Sequence, residues 1–317
     1  MGESLVGTSS ASLQGPDVLY VMGSGRSGST LLDMLLGLHP EVFSGGELMR
    51  YVLYGRTRGE YCACGSRVPA CSFWQSVQEA WQARCSDWSE REYLRLSCEL
   101  EVVKSLPRNM GMLGANDSDR ETFVRWTRAL YAAIAEVSGR RVIVDSSKSA
   151  ARAALVSQAL DGRAHIWHLV RDGRGVVHSY AKSFQKSERE GLQHDMPGRS
   201  RLRSALMWST KNVFLSGLQR AGLCSRLLRY EALVEHPLAA LNTVGGPVNL
   251  KYDEFADVLS SEIEITGRHT VAGNRLRTQE RIRLRMDTAW RGRFGVSEKL
   301  LYWPVAWPGA LIFGYVD

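Results

Sequence analysis

The 317-residue sequence has no run of about twenty apolar residues, the length a helix needs to span a bilayer. Its nearest candidate, Leu300 to Val316, is broken by Pro304 and Pro308, so no integral membrane segment is expected. Met1 to Gln14 is Gly/Ser-rich and lacks both a basic start and an apolar core. It reads as a disordered leader over residues 1–15 rather than a secretory signal. Six scattered cysteines behind such a leader are expected as reduced thiols in a cytoplasmic protein. No repeat, coiled-coil heptad or interdomain linker is visible, so residues 16–317 are expected to form one domain.

What is present fits an ordinary globular chain. Apolar residues make up 44% and aromatics 9%, enough to bury a substantial core, and 23% charged residues exclude a disordered class. The net charge of +7 suits an anionic ligand, although nucleic acid or a membrane surface would fit the same excess. Where the arginines cluster decides between them.

Asp17 to Met22 is a short apolar run entering a glycine cluster, which predicts a buried strand, and Thr30 to Leu38 predicts a helix stopped by His39-Pro40. Arg141–Val144, His165–Val170 and Arg226–Arg229 predict three further strands. Ser149–Leu160 and Gly173–Lys186 have helical spacing. Strands alternating with helices predict an α/β, P-loop-like three-layer fold, a mostly parallel central sheet flanked by helices. Two stretches break the rhythm and are expected as loops on the acceptor side of the domain, near residues 54–73 and 187–204.

Gly23-Ser24-Gly25-Arg26-Ser27-Gly28-Ser29-Thr30 joins the first strand to the first helix. Its glycines let consecutive backbone N–H groups turn inward, and the helix N-terminus adds partial positive charge. The spacing is that of a P-loop, but Ser29 stands where nucleotide triphosphatases carry lysine. The cradle therefore suits one phosphate and a neighbouring anionic group better than a triphosphate with Mg²⁺. A P-loop kinase or NTPase is the alternative reading.

His165–Val170 runs into Arg171-Asp172-Gly173-Arg174, with Asp172 as a plausible helix cap and Ser179 two turns further on. Arg171 falls at the carboxyl end of a strand, where open α/β sheets bind ligands, and with Ser179 it could hold a second phosphate. A nucleic-acid surface would instead need a basic stripe interleaved with aromatics, so no nucleic-acid partner is expected.

Two such sites in this order resemble the phosphate-binding signatures of PAPS-dependent sulfotransferases, with motifs most similar to those of tyrosylprotein sulfotransferases and bacterial relatives. The likeness covers Val18–Glu47 and Asp145–Ser179, and more loosely Arg229-Tyr230-Glu231-Ala232-Leu233-Val234-Glu235-His236-Pro237. It implies that Ser24, Gly25, Arg26, Ser27, Gly28, Ser29 and Thr30 hold the 5′-phosphosulfate. Arg171 and Ser179 would hold the 3′-phosphate, and Tyr230 would join the nucleotide site. The cosubstrate would be PAPS and the product PAP. The acceptor would be the hydroxyl or amine of a metabolite, glycan, lipid-linked intermediate or peptide.

The same likeness makes Glu47 the general base, since a carboxylate can take the acceptor proton as the attack on sulfur proceeds. Glu41 is its internal rival and His39 and His269 are the alternatives, because other branches use histidine. Lys148 and Arg26 would meet the charge that builds on the leaving phosphate. Sulfotransferases also bring a basic C-terminal loop back over the 3′-phosphate, followed by an Asp-x-Trp-like segment. This makes Arg275 and Arg277 candidates, ahead of Asp287-Thr288-Ala289-Trp290.

The transfer needs no metal, and none is expected. Cys62, Cys64 and Cys71 offer three ligands in an irregular spacing with no evident fourth, so they are taken as packing or free thiols near the acceptor pocket. A zinc site would need a histidine or cysteine from elsewhere. Trp74, Trp81 and Trp88 recur every seven residues, the mark of a helix packing stripe.

Overall fold

Along the first strand, Val18, Tyr20 and Met22 point to one face and Leu19 and Val21 to the other, and all five are fully buried. A strand apolar on both faces belongs in the middle of a covered sheet, and that is its place. The computed structural model describes residues 15–112, 117–187, 195–223, 225–265 and 267–316. Residues 1–14 of the expected leader, and residues 188–194 of the second expected loop, lie outside them.

Five strands, β1 (Asp17–Gly23), β2 (Val42–Ser44), β3 (Val142–Lys148), β4 (Ala164–Val170) and β5 (Ser225–Arg229), form a sheet in the order β2-β3-β1-β4-β5. Every pairing is parallel. The order turns back on either side of β1, so the crevice at the carboxyl end of β1 is the topological switch point. A separate antiparallel pair joins β6 (Glu262–Glu264) to β7 (Arg281–Arg283).

The helices are α1 (Ser29–Leu36), α2 (Ser72–Arg84), α3 (Glu90–Leu100), α4 (Leu106–Asn109), α5 (Ser118–Ser138), α6 (Ala150–Leu160) and α7 (Gly173–Ala181). They continue with α8 (Arg201–Arg220), α9 (Tyr230–Glu235), α10 (Pro237–Gly245), α11 (Ala256–Ser260) and α12 (Val296–Phe313). One face of the sheet packs under α2, α3, α5 and α6, and the other under α1 and α10. A third cluster joins α7, α8 and α12. This is the three-layer α/β architecture that the strand–helix alternation implies.

Three local expectations change. The helix expected over Gly173–Lys186 ends at Ala181, because the polar stretch after Tyr180 offers no apolar face, and Phe184 instead pairs with Met196. The expected loop near 54–73 contains a wide helical turn, Tyr51–Thr57, a short hairpin with Tyr61 opposite Arg67, and a turn at Val68–Ala70, and it ends inside α2. Leu300 to Val316 does not break at its prolines. Both Pro304 and Pro308 lie exposed inside α12, while Tyr302, Ala306, Ala310 and Phe313 pack on the opposite side. Tertiary burial there outweighs the hydrogen bonds the prolines remove. Of the tryptophans, Trp74 and Trp81 are buried on α2, and Trp88 lies past its end against Trp81, with ring centroids 5.0 Å apart. Among the described residues, no helix is long and apolar enough to cross a membrane.

Candidate active site

Ser24–Gly28 curl between β1 and α1. Gly28 has φ +94°, and a Cβ there would lie 2.4 Å from the ring of Tyr230, so the position admits glycine alone. Arg26 is left-handed without being glycine (φ +66°), a conformation that local structure must hold in place. The Ser27 hydroxyl donates to the Ser24 carbonyl at 2.7 Å and closes the curl. No side chain caps α1 at Gly28, which leaves the first-turn amides of α1 facing the cradle. Ser24, Ser27, Ser29 and Thr30 are buried, while Gly25, Arg26 and Gly28 are half-buried. Burial draws the Arg26 guanidinium below its ordinary value, and nearby Arg199 and Arg275 press the same way.

The second site adjoins the first. Arg171, 8% exposed at the end of β4, donates to the Arg26 carbonyl at 3.4 Å and to Asp287 Oδ2 at 2.8 Å. Its guanidinium carbon lies 4.5 Å from the centre of the Tyr230 ring. Tyr230 thus touches both the cradle and the strand-end arginine, and burial raises its phenol pKa. Asp172 caps α7 and also grips Arg174, which stacks on Trp290 at 4.6 Å. Ser179 is half-buried on α7. The segment carrying Asp287 and Trp290 therefore does return to this junction.

Glu47 follows β2 and is held by its backbone from several sides. Its N–H donates to the Val271 carbonyl at 3.0 Å, and the neighbouring Gly46 carbonyl accepts from Ser146 N–H at 2.7 Å. Asp33 of α1, fully buried, accepts from Ser44 Oγ (2.5 Å), Gly46 N–H (2.8 Å) and Ser146 Oγ (2.8 Å), tying β2, β3 and α1 together behind Glu47. The Glu47 carboxylate bonds Lys148 Nζ through one oxygen and Arg50 Nε through the other, the latter at 2.8 Å. Burial works against its charge, but Lys148, Arg50 and Arg277 outweigh burial and hold the carboxyl below the usual glutamate value. Lys148, at the end of β3, is the second left-handed non-glycine residue of the site (φ +67°). Lys211 on α8 lies near enough to feel Lys148 and Glu47; burial first, and then Lys148, lower its pKa to about 8.

The C-terminal loop closes over these groups. Asn274 N–H donates to Thr30 Oγ1 at 3.2 Å, and a Cβ on Gly273 would stand 3.3 Å from Thr30 Oγ1 and 4.0 Å from Glu47 Oε1. Arg275 is exposed and lies over Phe184 at 4.9 Å, on the side of Arg26. Arg277 takes another course: it is 1% exposed and donates to the Tyr61 carbonyl at 2.8 Å. The rival bases are placed elsewhere. Glu41 is exposed and paired with Arg141, and His39 packs against Tyr252 and Phe255. His269 stacks on Phe73 and turns Nδ1 towards Cys62 and Cys71.

The model of a family described as the sulfotransferase family matches residues 17–254, more than half of the chain. The protein belongs to the sulfotransferase family. Similar solved structures include the sulfotransferase domain of the Synechococcus PCC 7002 olefin synthase, at 20% identity over 83% of this chain and 80% of that one, with a TM-score of 0.40. The sulfotransferase domain of the curacin biosynthetic pathway matches at 16% identity over 95% and 99%, with a TM-score of 0.48. A sulfotransferase from Mycobacterium tuberculosis H37Rv matches at 15% over 78% and 71%, with a TM-score of 0.42. No curated protein matches the sequence. As a sulfotransferase the chain is a transferase, and its reaction class is sulfuryl transfer.

Several groups that shape this sulfotransferase's site carry no motif in the sequence. Arg50 could have been found, three residues after Glu47 and so within reach of it on a turn. Asp33 lies within the helix expected after the cradle and Lys211 on α8, which no expectation covered, and only the folded chain brings them near Glu47.

Proposed function

We propose that this chain transfers a sulfuryl group from PAPS to a hydroxyl or amine of its acceptor, with Glu47 as general base. The observation that carries the reading is the adjacency of two anion sites. Arg171 touches Arg26 and Tyr230, so a nucleotide with phosphates at both ends of its ribose would be held across the cradle and the β4 end. The cradle amides, Ser27, Ser29 and Thr30 bind the sulfated phosphate. Arg171, Ser179 and Arg275 bind the other, and Tyr230 lies between. Arg277, already engaged by backbone carbonyls, serves the wall of the site and not the nucleotide.

Glu47, kept anionic by Lys148 and Arg50, accepts the proton as the acceptor oxygen or nitrogen bonds to sulfur. The bond between sulfur and the phosphate oxygen breaks, and Lys148 and Arg26 meet the charge left on that oxygen. The kinase reading fares worse. Asp145 on β3 is occupied by Arg152 and Tyr131, and Asp33 by three donors, so neither carboxylate is free for Mg²⁺.

Calorimetry on the full chain tests the reading. PAP binds without added metal, and Arg171→Ala weakens it by about 1.5–3 kcal/mol, roughly 10- to 150-fold, the worth of a charge-assisted bond. Binding of ATP that depends on Mg²⁺, with none of PAP, would overturn it.

A further inference from the structure

The three cysteines of the 62–71 segment have a fourth companion. Cys64 Sγ lies 3.7 Å from Cys71 Sγ, which lies 3.9 Å from Cys62 Sγ. His269 Nδ1 stands 3.3 Å from Cys71 Sγ and 3.8 Å from Cys62 Sγ, and all four ligand atoms fall within 4.8 Å of one another. We propose that Cys62, Cys64, Cys71 and His269 form a closed, structural zinc site.

The spacing is that of a tetrahedron. Zinc bonds of about 2.3 Å to sulfur and about 2.0–2.1 Å to nitrogen put sulfurs about 3.8 Å apart and sulfur about 3.6 Å from nitrogen. The separations are too wide for a disulfide, whose sulfurs sit about 2.05 Å apart. Each sulfur also meets a main-chain donor: the N–H of Cys64 faces Cys62, that of Ser66 faces Cys64, and that of Trp74 faces Cys71. A tight hairpin arranges the first pair, with Gly65 at φ +87° and its N–H on the Cys62 carbonyl at 3.0 Å. His269 is aimed by its stack on Phe73, 9° from parallel, and by Trp74 Nε1 on its carbonyl at 2.8 Å. Three thiolates and a neutral imidazole leave the filled site one negative charge. Arg277, buried and facing Glu60 and Glu47 as well, lies near enough to Cys62 to offset part of that charge.

Four protein ligands leave no open position, so the ion has no part in the transfer chemistry. It acts as a staple. His269 is followed by Thr270 and Val271, whose carbonyls hold Ala63 N–H at 3.1 Å and Glu47 N–H at 3.0 Å, and then by Gly273 and Asn274 over Thr30. Fixing His269 to the 62–71 segment fixes the strip that backs the base.

The full chain, purified under reducing conditions with zinc supplied, is analysed for metal. One zinc ion per chain is expected, and cobalt substitution gives the absorption of a tetrahedral thiolate site. Cys71→Ser and His269→Ala lose both signals, while Cys98→Ser, remote from the cluster, keeps them. Stripping the ion from the wild-type chain lowers its Tm, and zinc restores it. A folded wild-type chain that holds no zinc and gives no cobalt spectrum would overturn the site. An unchanged Tm on stripping would overturn the staple. Neither readout depends on PAP binding, so failure here is separate from failure of the proposed function.

Discussion

Two ion clusters share strand β3 and differ in what surrounds them. Asp145 lies in the strand's interior, where Arg152, wholly buried, bonds both it and Glu101, and Tyr131 donates to it at 2.6 Å. Three residues on, Lys148 meets Glu47 at the strand's carboxyl end, beside the cradle and beneath the C-terminal loop. In the first cluster the side chains of Arg152, Asp145 and Glu101 are closed off from solvent. In the second, Lys148 and Glu47 each remain partly open, with side chains 16% and 12% exposed. The first pair can only brace. The second keeps an open side, which the roles proposed for Glu47 and Lys148 require.

Substitution should separate the two. Glu47→Gln removes the proton acceptor but keeps the shape, and turnover should fall by about 10²- to 10⁴-fold with Tm unchanged. Retained turnover would show that the base lies elsewhere. Arg152→Ala leaves two buried carboxyl groups without their cation, and denaturant unfolding should show a loss of about 3–5 kcal/mol. A loss below roughly 1 kcal/mol, the worth of an exposed pair, would mean that this cluster is no brace.

Asp33 gives the smallest effect and the sharpest one in pH. Burial raises its pKa to about 7, against the three donors that favour its charged form. A folded-state value above the ordinary 3.8 means that the protonated carboxyl favours the fold. That advantage is complete below the ordinary value and is lost as pH rises through about 7. Subtracting the stability of Asp33→Asn from that of the wild type at each pH isolates this trend from the histidines, whose lowered values act the other way. A difference that stays flat between those two pH values would refute it.

Four of the five strands of the central sheet were legible because each carries an apolar run, whereas β2, three residues long, was not. Period and punctuation are local signals. Both strand–helix junctions read as candidate anion sites were legible for the same reason, since each is one contiguous stretch of sequence. The fourth member of the cysteine cluster was not, because His269 reaches Cys62 and Cys71 only through the fold. Arg277 was not told apart for a related reason: in the sequence it is one of several alternating arginines, and only burial distinguishes it from exposed Arg275. The helix through Pro304 and Pro308 depended on a partner, α8, that no local rule supplies.

The bond from Glu47 N–H to the Val271 carbonyl bears on timing. During synthesis the strands of the central sheet are all present once β5 has left the ribosome, yet Glu47 lacks this anchor until residue 271 follows. The stretch by which the family is recognised stops at residue 254, so a fragment cut to that boundary would keep the cradle, Arg171 and Glu47 and lose the strip that holds Glu47 still.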